Sequence, residues 1–208
     1  MRIEKIFEHN KQWIAQQLEK DSQYFEKLAA GQNPTILYIG CSDSRVTAEE
    51  IMGLKPGEAF IHRNVGNLVN NVDLSVMSVI NYAVSILEVD HIIICGHYKC
   101  GGVKAAMESK DMGIQNPWLR NIRDAYRLHL NELKAIEDTD KRYDRLVELN
   151  VQEQCINALK VAEVQKAVKH RNLRIHGWVF DLRNGEIKDL KIDFEKELDF
   201  IREVYKLE

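Results

Sequence analysis

Short apolar runs separated by segments with helical periodicity constrain the fold of this chain more than any other feature. One run covers residues 35–40 and another covers residues 91–95, and both are rich in β-branched side chains. A nearly uninterrupted apolar run of this length is typical of a strand that is buried on both faces of a sheet. Strands that alternate with helices predict an α/β fold with a mostly parallel central sheet and flanking helices.

Local signals predict where several of the helices begin. Apolar positions at helical spacing in residues 1–30 predict an N-terminal helical arm of one or two helices. Asp73 has the position of an N-cap, and Asn116 followed by proline predicts the start of a helix that runs toward residue 136. A further long helix is expected over residues 142–169.

The C-terminal third predicts a hairpin, because the dipeptide Asn184-Gly185 favours the tight turns that join antiparallel strands. The sheet should therefore carry an antiparallel edge strand near the C-terminus. A chain of 208 residues with 45% hydrophobic content can bury one sizeable core. We expect residues 1–208 to form a single domain, because no internal repeat or low-complexity linker interrupts them.

Charge and hydropathy exclude several classes of partner. The 29 basic and 32 acidic residues leave a formal net charge of -3, so a nucleic-acid partner is not expected. The longest apolar run, residues 92–95, is too short to cross a bilayer, and residues 1–6 lack the apolar core of a secretory signal. We expect a cytoplasmic protein with no membrane partner, whose four cysteines are ligands or core residues rather than disulfides.

Residue types that bind metals follow two of the predicted strands. Cys41 comes directly after the first strand, and His97 and Cys100 follow the strand at 91–95. Sites in open α/β sheets form at the carboxyl ends of strands, so these side chains are expected to meet. Two thiolates and one imidazole suit tetrahedral zinc and leave one position open, which distinguishes a catalytic zinc site from a closed structural one. Zinc-bound hydroxide would be the nucleophile at such a site.

Asp43 and Arg45 lie in the segment that follows Cys41. By themselves they would form an exposed ion pair in a strand-to-helix turn. Beside zinc, Asp43 could accept a hydrogen bond from the bound hydroxide while Arg45 holds the carboxylate charged; alternatively, Asp43 could bind the metal and block the site. The pair His97-x-x-Cys100 is a weak motif alone, and its combination with Cys-x-Asp-x-Arg is far more specific.

Together these motifs resemble those of the β-class carbonic anhydrases, whose hallmark is Cys-x-Asp-x-Arg followed by His-x-x-Cys. The similarity to bacterial members covers most of the chain, including residues 39–46, 62–69, 87–103, 148–154 and 175–178. The resemblance implies reversible hydration of carbon dioxide to bicarbonate and a proton. It also implies one Zn²⁺ per subunit, bound by Cys41, His97 and Cys100, and a catalytic dyad of Asp43 and Arg45.

Substrate contacts and assembly are implied by the same resemblance. Gln32 is similar to a glutamine that contacts substrate across a dimer interface, and the backbone N–H of Gly101 is expected to contact bicarbonate. The family implies a homodimer or homotetramer in which the N-terminal arm packs on a neighbouring subunit. A subgroup has a second, inhibitory bicarbonate site; Arg63 matches it, but Tyr38 and Phe180 depart from it, so strong bicarbonate allostery is not expected.

Two other functions remain open at the level of sequence. The same zinc chemistry could act on carbon disulfide or carbonyl sulfide, which some relatives of this fold hydrolyse. Alternatively, the chain could be a non-catalytic zinc or thiol-redox protein in which Cys41 and Cys100 form a reversible disulfide after metal loss. Asp43 and Arg45 would then have no evident task.

Overall fold

The structure is a computed structural model that describes residues 3–204; the first two residues of the predicted arm lie outside this range. The chain forms two compact units, one up to Asn33 and one from Pro34 onward. The N-terminal unit contains α1 (Glu4–Lys20) and α2 (Tyr24–Ala29). The ring of Trp13 packs edge-on against aromatic rings of α2. The arm is therefore two helices, within the one or two that the sequence predicts.

The second unit is built on a single sheet. Within the described residues its strands are β1 (Ile36–Cys41), β2 (Ala59–Asn64), β3 (His91–His97), β4 (Arg174–Phe180) and β5 (Ile187–Asp189). The strand order is β2-β1-β3-β4-β5. The first four strands are parallel, and β5 pairs with β4 in the antiparallel sense. The predicted α/β fold, with its mostly parallel sheet and antiparallel edge strand, is confirmed.

Helices flank the sheet and connect its strands. Their bounds are α3 (Ala48–Met52), α4 (Leu74–Asn81), α5 (Gly101–Met107), α6 (Asn116–Leu128), α7 (Leu130–Lys134), α8 (Thr139–Leu159), α9 (Ala162–Arg171) and α10 (Phe194–Val204). The Asp73 carboxylate accepts a hydrogen bond from the N–H of Ser75 at 3.0 Å, which confirms the predicted N-cap. No helix in residues 3–204 is long and apolar enough to span a bilayer.

Two helices that the sequence predicts as continuous are broken in the structure. The helix that begins at Asn116 stops at His129, whose ring Nε2 lies 2.8 Å from a Glu153 carboxylate oxygen on α8. The helix expected over residues 142–169 is broken at Val161, which has extended backbone and a buried side chain. In both places contacts with distant parts of the fold override a helical pattern that continues through the break.

Helix α8 lies very close to the sheet at two glycines. A Cβ atom added to Gly96 on β3 would lie 2.6 Å from Cγ2 of Val151, and one added to Gly177 on β4 would lie 3.3 Å from Cγ1 of the same residue. Val151 is fully buried, and its two methyl groups lie above the two glycines, with Cδ1 of Ile192 and Sγ of Cys155 also close to the Gly177 position at 2.5 and 3.2 Å. This contact brings α8 against the strand that ends at His97.

Candidate active site and metal centre

Three predicted metal ligands meet at the carboxyl ends of the central strands. Cys41 ends β1, His97 ends β3, and Cys100 directly precedes α5. The sulfur atoms of Cys41 and Cys100 are 3.8 Å apart, and the donor atoms of all three residues lie within 4.8 Å of one another. In residues 3–204 this is the one cluster of three or more His, Cys, Asp or Glu donors with such spacing. The carboxyl ends of the parallel strands meet at one edge of the sheet, and the three predicted ligands lie together there as expected.

The imidazole of His97 is oriented for metal binding by its own backbone neighbour. Its Nδ1 atom lies 2.9 Å from the carbonyl oxygen of Tyr98. A carbonyl only accepts, so Nδ1 carries the hydrogen and Nε2 of the neutral ring carries a lone pair. Nε2 is buried and has no hydrogen-bond partner among the described residues. A buried polar atom without a partner is unusual, and this one faces the two sulfur atoms of the cluster.

The two thiols of the cluster compete for one proton. A hydrogen bond from Cys100, opposed by burial and assisted by His97, lowers the pKa of Cys41. The same contact with Cys41, together with burial, raises the pKa of Cys100. The pair therefore favours one thiolate beside one thiol, and a divalent cation would stabilise both as thiolates. Two soft sulfur donors and one imidazole nitrogen fit a zinc ion with an open fourth position.

Asp43 and Arg45 form the pair that the sequence predicts. Arg45 donates from Nε to Oδ1 at 2.9 Å and from Nη2 to Oδ2 at 2.8 Å. These hydrogen bonds hold the pKa of Asp43 well below its usual range, despite partial burial. Oδ2 of Asp43 lies 3.7 Å from Nε2 of His97. An ionised carboxylate of fixed orientation therefore lies next to the three ligand atoms.

Arg63 holds the loop that carries this pair, a role that the sequence analysis did not identify. Its Nε donates to the carbonyl of Cys41 at 2.9 Å, and its Nη2 donates to the carbonyls of Asp43 and Val46 at 2.6 and 2.7 Å. Two of the three guanidinium nitrogens thus fix the backbone of this loop. Its place at the end of the strand beside β1 was the available signal. The expectation that strong bicarbonate allostery is lacking stays a prediction.

A second loop at this edge of the sheet is held by amide side chains of α8. Asn150 donates to the carbonyl of Gly66 at 3.0 Å, and Gln154 accepts from the N–H of Val69 at 2.8 Å. Gln154 also donates to the amide oxygen of Asn150 at 3.2 Å. This network was not predicted from the sequence. Polar residues at i and i+4 on an otherwise buried helix were the signal that could have revealed it.

Of the two predicted substrate contacts, Gly101 lies beside a metal ligand and Gln32 belongs to the other compact unit. Gly101 follows Cys100 directly as the first residue of α5, and no heavy atom outside its immediate surroundings lies within 4 Å of the place that a Cβ would take. Gln32 is exposed in the N-terminal unit. Its predicted contact involves a second chain, so it remains a prediction, as does the contact of bicarbonate with Gly101.

Comparisons with known proteins agree with this geometry. A family model described as carbonic anhydrase matches residues 36–187. The carbonic anhydrase of Emericella nidulans is 58% identical over 98% of this chain and 90% of that protein. The β-carbonic anhydrase CafA of Aspergillus fumigatus has a TM-score of 0.92 and 39% identity, with 99% of each chain covered. One of two tetrameric β-carbonic anhydrases from Sordaria macrospora has a TM-score of 0.88 and 37% identity, covering 91% of this chain and 96% of that one.

The expected likeness to bacterial members in particular is not borne out, because the high identity is to a fungal protein and the two structures named with it are fungal as well. Two of the segments that suggested it, residues 39–46 and 87–103, contain the ligand and dyad residues, which the chemistry of the whole class requires, so they do not separate its lineages. The family match over most of the chain, the identity to Emericella nidulans and the Cys-His-Cys cluster agree with one another. This chain belongs to the β-class carbonic anhydrases, and it is a carbonate dehydratase.

Proposed function

We propose that each chain binds one Zn²⁺ through Cys41, His97 and Cys100 and uses it in the reversible hydration of carbon dioxide to bicarbonate and a proton. The observation that carries this proposal is the buried, unpartnered Nε2 of His97 beside two sulfur atoms 3.8 Å apart. When bound, zinc supplies Lewis acidity that lowers the pKa of a coordinated water toward neutrality. The residues around the cluster determine how that water is oriented.

Asp43 is the residue that orients the attacking water in this proposal. Arg45 donates to both of its carboxylate oxygens, so the carboxylate stays ionised and cannot rotate freely. Its Oδ2 atom points toward Nε2 of His97, where the ligand atoms meet. We assign Asp43 as the acceptor of a hydrogen bond from the water and Arg45 as the residue that positions Asp43. Asp43 acts as an acceptor here and need not itself take up the proton.

Substrate recognition is assigned to Gly101 and Gln32. The open space beside Gly101 supports access of bicarbonate to its backbone N–H. For Gln32 the support is its exposure at the end of the N-terminal unit, from which it can reach a neighbouring subunit. The backbone N–H of Gly101 and the side-chain NH₂ of Gln32 can each donate a hydrogen bond to an anion, so neither contact requires a charged side chain.

A homodimer or homotetramer is part of the proposal, with the N-terminal arm packed on a neighbouring subunit. Neither α1 nor α2 buries a residue among those described. Large apolar side chains of the arm are exposed, including Ile3, Ile6, Phe7, Trp13 and Leu18. Exposed apolar groups at helical spacing favour a partner surface, and the Sordaria macrospora relatives are tetrameric. Light scattering on the full chain should give a mass of two or four subunits.

A cytoplasmic location is also proposed. All four cysteines are free and buried, as is usual where thiols are kept reduced. The nearly balanced charge of the chain fits a protein without a membrane or nucleic-acid partner.

The test is stopped-flow carbon dioxide hydration near pH 7 and near pH 8.5, on protein whose zinc content is measured in the same preparation. Wild-type protein with one zinc per chain should turn over rapidly. Cys41→Ser should lose both zinc and activity. Cys155→Ser is the matched control, because it changes a fully buried cysteine inside α8 that belongs to no ligand cluster, and it should keep both.

Either of two results would contradict the proposal. If wild-type protein with full zinc occupancy shows no turnover at either pH value, carbon disulfide or carbonyl sulfide would be favoured as the substrate, or the protein would have a non-catalytic role. Retention of stoichiometric zinc by Cys41→Ser would remove Cys41 from the ligand set.

A further inference from the structure

The turn between the two ligands His97 and Cys100 contains a backbone conformation that has to be held in place. Lys99 has a φ angle of +59°, in the left-handed region. A side chain other than glycine, asparagine or aspartate seldom adopts this conformation, and it persists only where surrounding contacts impose it. The contacts that impose it here therefore also fix the spacing of the two ligands.

Tyr98 is the most strongly held residue of this turn. Its backbone N–H donates to the carbonyl of Phe180 at 3.0 Å. Its carbonyl receives the hydrogen bond from Nδ1 of His97. The guanidinium of Arg183 lies 4.9 Å from the centre of its ring. Its hydroxyl donates to Oε1 of Glu148 on α8 at 2.5 Å. The carbonyl that orients His97 therefore belongs to a residue whose ring is fixed at its far end.

Glu148 is a carboxylate in a largely buried position with several donors. Its side chain is 11% exposed. Lys188 donates to Oε1 at 2.6 Å and Arg145 donates to Oε2 at 2.8 Å, in addition to the Tyr98 hydroxyl. Burial would raise the pKa of Glu148, but these hydrogen bonds outweigh it and hold the pKa below its ordinary value. Three donors on one carboxylate leave it little freedom to move.

Helix α8 also contacts the other side of the turn. The hydroxyl of Tyr143 donates to the carbonyl of Cys100 at 2.5 Å. Glu148 thus holds the ligand turn before Lys99, at Tyr98, and Tyr143 holds it after Lys99, at Cys100. Neither side chain belongs to the ligand cluster or to the Asp43 and Arg45 pair.

We propose that Glu148 is a positioning residue for the metal: through the Tyr98 hydroxyl it fixes the carbonyl that orients His97, and so determines how firmly zinc is retained. This inference rests on the zinc site of the proposed function. Groups that orient metal-bound histidines commonly change metal affinity by about 10–100-fold when they are altered. Loss of the Glu148 contact should therefore be seen in metal retention and in the geometry of the site.

The test compares Glu148→Gln and Tyr98→Phe with the matched control Glu153→Gln. Glu153 is on the same helix, its side chain is 16% exposed, and its carboxylate pairs with His129 rather than with the turn. Full-length, zinc-loaded proteins are mixed with excess chromogenic chelator, and the rate of zinc release is measured. The same proteins loaded with Co²⁺ are compared by their visible absorption, which reports ligand geometry. Far-UV circular dichroism establishes that each variant is folded.

We expect Glu148→Gln and Tyr98→Phe to release zinc about tenfold faster than wild type or more and to shift the Co²⁺ bands. Glu153→Gln should release zinc within about twofold of the wild-type rate. Tyr98→Phe keeps the inference testable if Glu148→Gln fails to fold, because it removes one hydroxyl and leaves Glu148 paired with Lys188 and Arg145.

Wild-type rates and an unchanged Co²⁺ spectrum in Tyr98→Phe would overturn the inference while leaving the zinc site intact. Equal acceleration in Glu153→Gln would also overturn it, since the effect would then be a general loosening of α8. Wild-type protein that binds neither metal would instead refute the proposed function, and the inference with it.

Discussion

Substitution of Gly96 by alanine tests the close packing of α8 against the strand that carries His97. The new Cβ would lie 2.6 Å from Cγ2 of Val151 and 3.4 Å from the amide oxygen of Asn67. Val151 cannot simply move away, because it is fully buried and its other methyl group lies above Gly177. The helix or the strand must shift instead. Overpacking of a well-filled core in this way costs about 1–3 kcal/mol.

This cost converts into a measurable change in melting temperature. For a domain of this size, 1 kcal/mol corresponds to about 2–4 °C, so Gly96→Ala should melt about 2–12 °C below wild type. Calorimetry on zinc-saturated protein is the assay. Gly101→Ala is the control: it makes the same chemical change five positions along the chain, where nothing lies within 4 Å of the new Cβ, and alanine is a better helix former. It should melt at or above the wild-type temperature.

Equal melting temperatures for Gly96→Ala and Gly101→Ala would refute the reasoning. The space above Gly96 would then be larger than the contact with Val151 implies, or α8 would shift to admit the methyl group without any loss of stability.

Two further predictions concern the dyad and the histidines of the sheet. Asp43→Ala should keep its zinc yet lose about 10²-fold in kcat, because the hydrogen-bond acceptor that orients the attacking water is lost; full activity at full zinc occupancy would exclude Asp43 from the mechanism. Burial, and then the neighbouring His91, hold the pKa of His176 below its ordinary value of 6.5. The unfolded chain therefore binds more protons below pH 6.5, and stability should fall as pH drops from 6.5 toward the folded-state pKa. In denaturant titrations between pH 7.5 and 5, His176→Gln should show a shallower pH dependence than wild type; parallel curves would contradict this assignment.

The elements that sequence predicts well are those with a local physical signature. Continuous apolar runs predict β1 and β3, and Asn184-Gly185 predicts the antiparallel edge strand. The ligand cluster could be predicted because parallel strands bring their carboxyl ends to one edge, which places Cys41 beside the end of β3. Neither step requires knowledge of how the helices pack.

What the sequence does not reveal depends on contacts between distant residues. The break at His129 is accompanied by a contact with Glu153, and the loop that contains Val69 is held by Gln154, which lies 85 positions away. Helical periodicity continues through the break at His129 and does not indicate that Glu153 is the partner. Arg63 is a similar case, since its place at a strand end beside β1 shows that it lies near the site but does not show that three backbone carbonyls will accept its hydrogen bonds.

The packing of Val151 against two glycines affects which amino-acid substitutions this enzyme can tolerate. Val151 on α8 packs against both Gly96 on β3 and Gly177 on β4, and the same helix holds the ligand turn and the second loop through Glu148 and Asn150. Substitutions at these positions all act on the packing of α8, so their effects on the free energy of unfolding should couple rather than add. A larger residue in place of Gly96 should cost less stability when the residue at position 151 is smaller, and such positions are expected to evolve in pairs.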